Sequence, residues 1–276
     1  LLLGTRNFII NNSLEVDIIT NICDLYLNHQ YLIPDVIITN LDLGSRELVR
    51  QVTMELKNNI LVKSSRRNHN KLYKSTLVHA TECYRLNKIK IDNIQSGLET
   101  LQNILSIPNL PRVLECFDIA IWQGSSPTAS RIVFIDGVAE KSRYRHYHLK
   151  ELPEGNNDFE MMKEVITRRL TKGNLPDVFI VDGGKGQINI FAKKIKESGL
   201  SIPVVGIVKS KVKNSYSDSK VQKSVERILV PSIGVDLPLI DNRNLMKILV
   251  EMRDEAHRFS RKLHHKQEKK KLFQVD

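Results

Sequence analysis

The sequence predicts an α/β fold: a mixed five-stranded sheet with flanking helices, preceded by a small α/β unit and a long helical region. Three observations predict it. In "PDVFIVDGG" four apolar residues, Val178 to Val181, run into an acid and two glycines, the pattern of a strand buried on both faces, hence parallel and central. Segments of helical spacing flank it, as in crossover units. Upstream, three strand patterns follow one another with no helix between, as in a meander.

The elements follow in order. Residues 1–65 read as a small α/β unit. "SLEVDIITNICDLYLNH" has helical spacing, "PDVIITN" is a short strand pattern, "SRELVRQVTMELKN" is helical again and "NILVKSS" is strand-like. The basic stretch "KSSRRNHNK" marks a boundary or turn. Residues 66–110 are a helical connector, with Ile91, Ile94, Leu98, Leu101 and Leu105 on one stripe until the prolines of "IPNLPR" stop it. Residues 111–276 hold the sheet. Its strands are expected at "RVLECFDIAIW", "ASRIVFIDG", "SRYRHYHLK", "PDVFIVDGG" and "IPVVGIVKS", the second ending in an Asp-Gly turn signal. Helices are expected at "NNDFEMMKEVITRRLTKG", capped by Asn157 or Asp158, at "QINIFAKKIKESGL", and from about Asn242 to Lys266. The last carries Leu245, Ile248, Leu249, Met252, Ala256 and Phe259 on one side. Residues 209–224 are Lys/Ser-rich and read as a polar loop.

Lys and Arg number 42 against 31 acids, a formal charge of +11, which favours a polyanionic partner, nucleic acid first. No apolar run approaches the roughly 18 residues of a membrane span, so no membrane partner is expected. Cys23, Cys83 and Cys116 are far apart, which argues against a disulfide framework or zinc site and fits a reducing cytoplasm. The first residue is Leu1 rather than an initiator methionine, consistent with a fragment.

The acids that end strands carry the chemistry. A carboxylate at the carboxyl end of a buried strand sits where open α/β sheets bind ligands. Asp182 is one, and Asp118, ending "VLECFD", is another. Either alone is explained by a strand end or a helix cap. In a sheet whose first and fourth of these strands are neighbours, the two acids come together and repel, so one holds a proton or a cation sits between them. Such oxygen-rich sites suit Mg²⁺ or Mn²⁺. Gly183 and Gly184 keep the rim open, and Lys185 is placed to attract a phosphate. In "EMRDEAHRFSRKLHH", His257 lies one residue off the apolar stripe, where an imidazole can ligate a metal, handle a proton or serve structure alone.

"ECFDIAIWQGSSPTASRIVFIDG", "YRHYHLK", "NNDFEMMKEVITRRL", "PDVFIVDGGKGQ", "IPVVGIVK" and "MRDEAHRF", in that order, resemble the carboxyl-terminal nuclease half of UvrC, the incising component of the excinuclease ABC system. The likeness is strong after Arg112 and weak before it. It implies a ribonuclease H-like fold and a Mg²⁺- or Mn²⁺-dependent endonuclease of nucleotide excision repair and the SOS response. That enzyme makes the incision 5′ to a lesion in damaged double-stranded DNA, with the excinuclease component UvrB as partner and UvrA acting upstream. The resemblance puts catalytic aspartates at Asp118 and Asp182 and a catalytic histidine at His257, all three on the metal. A further functional acid falls on Asp158, a position that a helix cap explains equally. Lys185, Arg258, Arg261, Lys262 and Lys266 are expected to hold the DNA backbone.

There are departures. The family reads Asp-Ile-Ser-His where this chain has Asp118-Ile119-Ala120-Ile121, and no stretch here matches the family's GIY-YIG nuclease, UvrB-binding segment or helix-hairpin-helix pair. A truncated, catalytically silent DNA- or partner-binding remnant is therefore the alternative. Another ribonuclease H-like enzyme, such as a resolvase, fits the acids but not "RDEAHRF". No chemistry is expected in residues 1–65, where the strand pattern gives way to Thr39-Asn40.

Overall fold

The computed structural model describes Thr20 and residues 34–54, 61–64, 70–120, 128–148, 158–209 and 226–272. The chain forms two compact units, Leu1–Lys90 and Ile91–Asp276. The helix expected over 13–29 apart from Thr20, the basic stretch at 65–69 and nearly all of the loop 209–224 lie outside the described residues.

In the first unit β1 (Val36–Thr39) pairs in parallel with β2 (Leu61–Ser64), and α1 (Leu43–Met54) connects them. Asp42 caps α1 by accepting from the Ser45 hydroxyl at 2.6 Å and the Ser45 amide at 2.9 Å, bonds that lower its pKa. A single helix, α2 (Asn70–Leu105), then runs into the second unit. There it buries Leu98, Leu101 and Leu105, whereas Ile91, expected on the same stripe, is exposed. Ser106 adopts a left-handed conformation and Pro108 follows, so the helix ends where the prolines require.

Among the described residues, the second unit holds an eight-stranded mixed sheet rather than a five-stranded one. Its strands are β3 (Val113–Ala120), β4 (Thr128–Ile135), β5 (Val138–Ala139), β6 (Arg145–His148), β7 (Val178–Asp182), β8 (Val204–Lys209), β9 (Glu226–Val230) and β10 (Val235–Pro238). The order is β10-β9-β8-β7-β3-β4-β5, with β6 also on β4. The expected strands are present, and β7 is parallel to both neighbours, β3 and β8, with Val178 to Val181 fully buried. The Asp136–Gly137 turn has positive φ at both residues and joins β4 to the two-residue β5. β9 and β10 form an edge hairpin through the turn at Pro231–Ile233 and left-handed Gly234. The edge position tolerates Pro238, which cannot donate to a ladder.

Two cores cover the two faces. On one, α3 (Asp158–Leu170) and α4 (Lys185–Glu197) bring Met162, Val165, Ile166, Ile188 and Phe191 against Phe117, Phe179 and Val181. On the other, α5 (Arg243–Leu272) and the end of α2 pack on Leu114, Cys116, Val178 and Ile180. Strand alternation sends neighbouring residues to opposite cores.

The α3–α4 side buries an ion network. Arg169, 1% exposed, forks onto Glu115, 0% exposed, at 2.7 and 2.9 Å. Its remaining donors meet the carbonyls of Lys172, Gly173 and Asn174, closing the carboxyl end of α3. Arg131 lies 3.3 Å from the same carboxylate and donates to the Arg143 carbonyl. Burial lowers the Arg131 pKa and Glu115 opposes that shift. Removing one member strands the others, so Glu115→Ala is expected to cost about 3–5 kcal/mol, measured by denaturant unfolding.

Candidate metal centre

The site grows from strand register. β3 and β7 are parallel, pairing Cys116 with Ile180 and Phe117 with Val181. The next residues along both strands are Asp118 and Asp182. They share the face of Cys116 and Ile180, beneath α5, with Asp182 closing β7 and Asp118 two residues before the end of β3. Both acids are largely enclosed, their side chains 10% and 18% exposed.

The third member comes from α5. Its buried stripe of Leu245, Ile248, Leu249, Met252 and Ala256 lies on the sheet, and His257 follows Ala256 at the stripe's margin. The imidazole reaches both acids, with Nε2 2.9 Å from Asp182 Oδ2 and Nδ1 3.4 Å from Asp118 Oδ1. One ligand atom from each residue falls within 4.8 Å of the others, the one such cluster of three metal-binding side chains among the described residues. Two carboxylate oxygens and an imidazole nitrogen form a donor set that fits a divalent cation such as Mn²⁺ or Mg²⁺.

Neighbours record the local charge. Cys116 lies two residues before Asp118 on the same face, and burial, then the charges of Asp182 and Asp118, push its thiol well above the ordinary range. One turn before His257, Arg253 binds Glu226 of β9 and its neighbour Asp254. Burial acts against the Arg253 charge, but these two acids outweigh it and raise its pKa.

The rim is braced by a side chain that sequence reading passed over. Gln187 Oε1 accepts from the Gly184 amide at 3.0 Å, closing the first turn of α4 beside Asp182. A Cβ on Gly183 would lie 1.9 Å from that oxygen, so the rim requires glycine if the brace is kept. The signal was legible: Gln187 is the third residue of a helix whose cap is Gly184.

The other expected site residues are placed as follows. Asp158 opens α3, whose next residue, Phe159, packs near Gly186 at the start of α4, so its backbone lies at this end of the sheet. Its side chain is outside the described residues. Lys185 is exposed at the start of α4. Arg258, expected to face DNA, is engaged in a forked pair with Glu255 at 2.5 and 2.6 Å. It lines a groove of about 640 Å³ with Lys141, Lys247, Glu251 and Asp254. Arg261 and Lys262 are exposed, and the Lys266 side chain is outside the described residues. No helix of the described residues is long and apolar enough to cross a membrane.

A family model described as the UvrC RNAse H endonuclease domain matches residues 102–260. UvrABC system protein C of Trichlorobacter lovleyi is 32% identical over 253 residues, covering 88% of this chain and 42% of the relative. That of Bdellovibrio bacteriovorus is 33% identical over 252 residues, 87% of this chain and 40% of the relative. The chain thus spans less than half the length of these curated relatives. Among solved structures, Bacillus subtilis endonuclease V aligns over 56% of this chain and 83% of its own, at 19% identity and a TM-score of 0.33. The Argonaute of A. aeolicus aligns over 72% of this chain and 38% of its own, at 15% identity and a TM-score of 0.26.

His257→Ala would leave two enclosed carboxylates without the imidazole that contacts both. The thermal midpoint in EDTA is expected to fall by the equivalent of about 1 kcal/mol, and by more at low salt. Unfolding scans at two ionic strengths check this.

Proposed function

Because this chain belongs to the family of the UvrC RNAse H endonuclease domain, we propose that it is the nuclease core of a UvrC-type excinuclease. Its fold is ribonuclease H-like, and it hydrolyses a phosphodiester of double-stranded DNA on the 5′ side of a lesion. UvrB, loaded with the help of UvrA, presents the damaged strand. The observation that carries this reading is the convergence of ligand atoms of Asp118, Asp182 and His257 within 4.8 Å, the acids from two parallel strands and the imidazole from α5.

Asp118 and Asp182 would hold Mg²⁺ or Mn²⁺, with His257 as a third ligand or a proton carrier. When bound, a divalent cation supplies positive charge against the phosphate and makes water a better nucleophile at neutral pH. The chain's own residues do the rest. The two acids are fixed by sheet hydrogen bonds and hold their oxygens at one point. His257, 42% exposed, faces solvent on one side and can pass a proton between water and the site. Lys185, at the rim of α4, draws a phosphate toward the acids, and Arg261 and Lys262 extend the basic surface along α5. Arg258 contributes to DNA only by leaving Glu255. Asp158 has a role at the rim or as the cap of α3.

The second reading, a catalytically silent remnant, is favoured by Ala120 and Ile121 standing where the family has Ser and His. A plasmid-nicking assay with Mn²⁺, with and without UvrA and UvrB, separates the two. Asp118→Asn and Asp182→Asn are each expected to lower nicking about 10³-fold or more while the unfolding midpoint holds. Wild-type nicking by either variant removes the assignment. Lys185→Ala is expected to weaken DNA binding at every sequence and to reduce the salt slope by about 1, read from affinities across a salt series.

A further inference from the structure

Ser130 of β4 stands directly across from Asp118 of β3, and on its other side is paired with His146 of β6. Facing residues on paired strands share a sheet face, so Asp182, Asp118, Ser130 and His146 form one row beneath α5. The row is closed at its far end by Phe259 of α5, whose ring stacks on His146 with centroids 3.9 Å apart and planes 11° apart. Ser130 is 1% exposed, and its Oγ has no hydrogen-bond partner. A hydroxyl shut away from water with nothing to bond is unfavourable and uncommon. The next residues along its own face of β4 toward the strand's end, Ile132 and Phe134, are apolar and buried. Alanine would satisfy the packing at 130 without the unpaired oxygen. The Cβ atoms of facing residues are about 4.5–5.5 Å apart, so rotation about χ1 brings a serine hydroxyl within reach of the opposite carboxylate.

We propose that Ser130 is a positioning residue for the cation site: its hydroxyl donates to one oxygen of Asp118 and orients the other as a ligand. The inference rests on the reading of Asp118 and Asp182 as cation ligands. Ligating carboxylates are held by donors of this kind, and losing one typically weakens metal affinity about 10–100-fold. Ser130 Oγ has no partner in this structure, and with a cation on Asp118 the hydroxyl would turn about χ1 to donate to the carboxylate's other oxygen.

The test is calorimetric titration of Mn²⁺ into the full chain, for wild type, Ser130→Ala and Asp182→Asn, with thermal midpoints in EDTA. Ser130→Ala is expected to weaken Mn²⁺ binding about 10-fold or more, while its EDTA midpoint stays level or rises because an unpaired buried hydroxyl is gone. Wild-type affinity in Ser130→Ala overturns the proposal. So does a fall in the EDTA midpoint alongside the affinity, since the hydroxyl then serves the fold. Asp182→Asn tells which reading has failed. If it binds Mn²⁺ as wild type does, or wild type binds none, the cation site itself falls and takes Ser130 with it. If it loses binding while Ser130→Ala keeps it, only the role of Ser130 is lost.

Discussion

The second unit is organised around a repulsion. Asp118 and Asp182 offer oxygens within 4.8 Å of each other, in a setting that solvent screens poorly because both side chains are largely enclosed. Like charges this close repel, and a positive partner between them offsets that repulsion. His257 meets both, and a dication would meet them better. Every element that fixes these three residues therefore holds a pair of like charges together against their own field. The Cys116 thiol, directly behind Asp118, is raised first by its burial and then by the charges of Asp182 and Asp118.

The acids and the histidine are held in different ways. Asp118 and Asp182 are carried on the central strands of the sheet, where a slip of one residue would turn a whole strand's side chains to the other face. Such a slip would bring Phe117 and Phe179 beneath α5 and leave the acids among Met162 and Phe191, so the two cores enforce the register. His257 depends instead on the placement of a single helix. α5 is fixed before it by Arg253 on Glu226, and after it by Phe259 against His146 and Tyr144. β9, which supplies Glu226, thus contributes to the site without reaching it.

What the sequence revealed follows from which patterns are local. β7 was legible because a strand buried on both faces has no alternation to hide, and Asp118 with Asp182 followed once β3 and β7 were neighbours. His257 was visible as a residue beside a stripe, and the family motif singled it out. β9 and β10, which follow the polar stretch 209–224, went unread because they are short and because Pro238 reads as a breaker. β5 escaped because two residues carry no period. The pairing of Arg169 with Glu115 was invisible for a different reason. Glu115 sits between Leu114 and Cys116 in a strand, and nothing local says that the face it points to is dry. Arg258 shows the converse: the sequence offers it as a DNA contact, and the Glu255 that it pairs with in the structure is not singled out by any local pattern.

The buried network and the site are linked through one strand. Successive residues of β3 alternate between Glu115 and Phe117 on one face and Cys116 and Asp118 on the other. Glu115 ties the strand to the carboxyl end of α3, and Arg131, one residue after Ser130, draws β4 into the same cluster. The two strands that face Asp118 with Ser130 are therefore bound to each other by ladder hydrogen bonds and, on the opposite side of the sheet, by a shared carboxylate. An apolar pair at those positions would pack as well and cost less desolvation. A forked guanidinium differs in fixing direction as well as distance, and direction is what a site of two acids and an imidazole depends on. The burial of three charges is thus best understood as a device for holding β3 and β4 in one register, three residues away from the place where that register sets the chemistry.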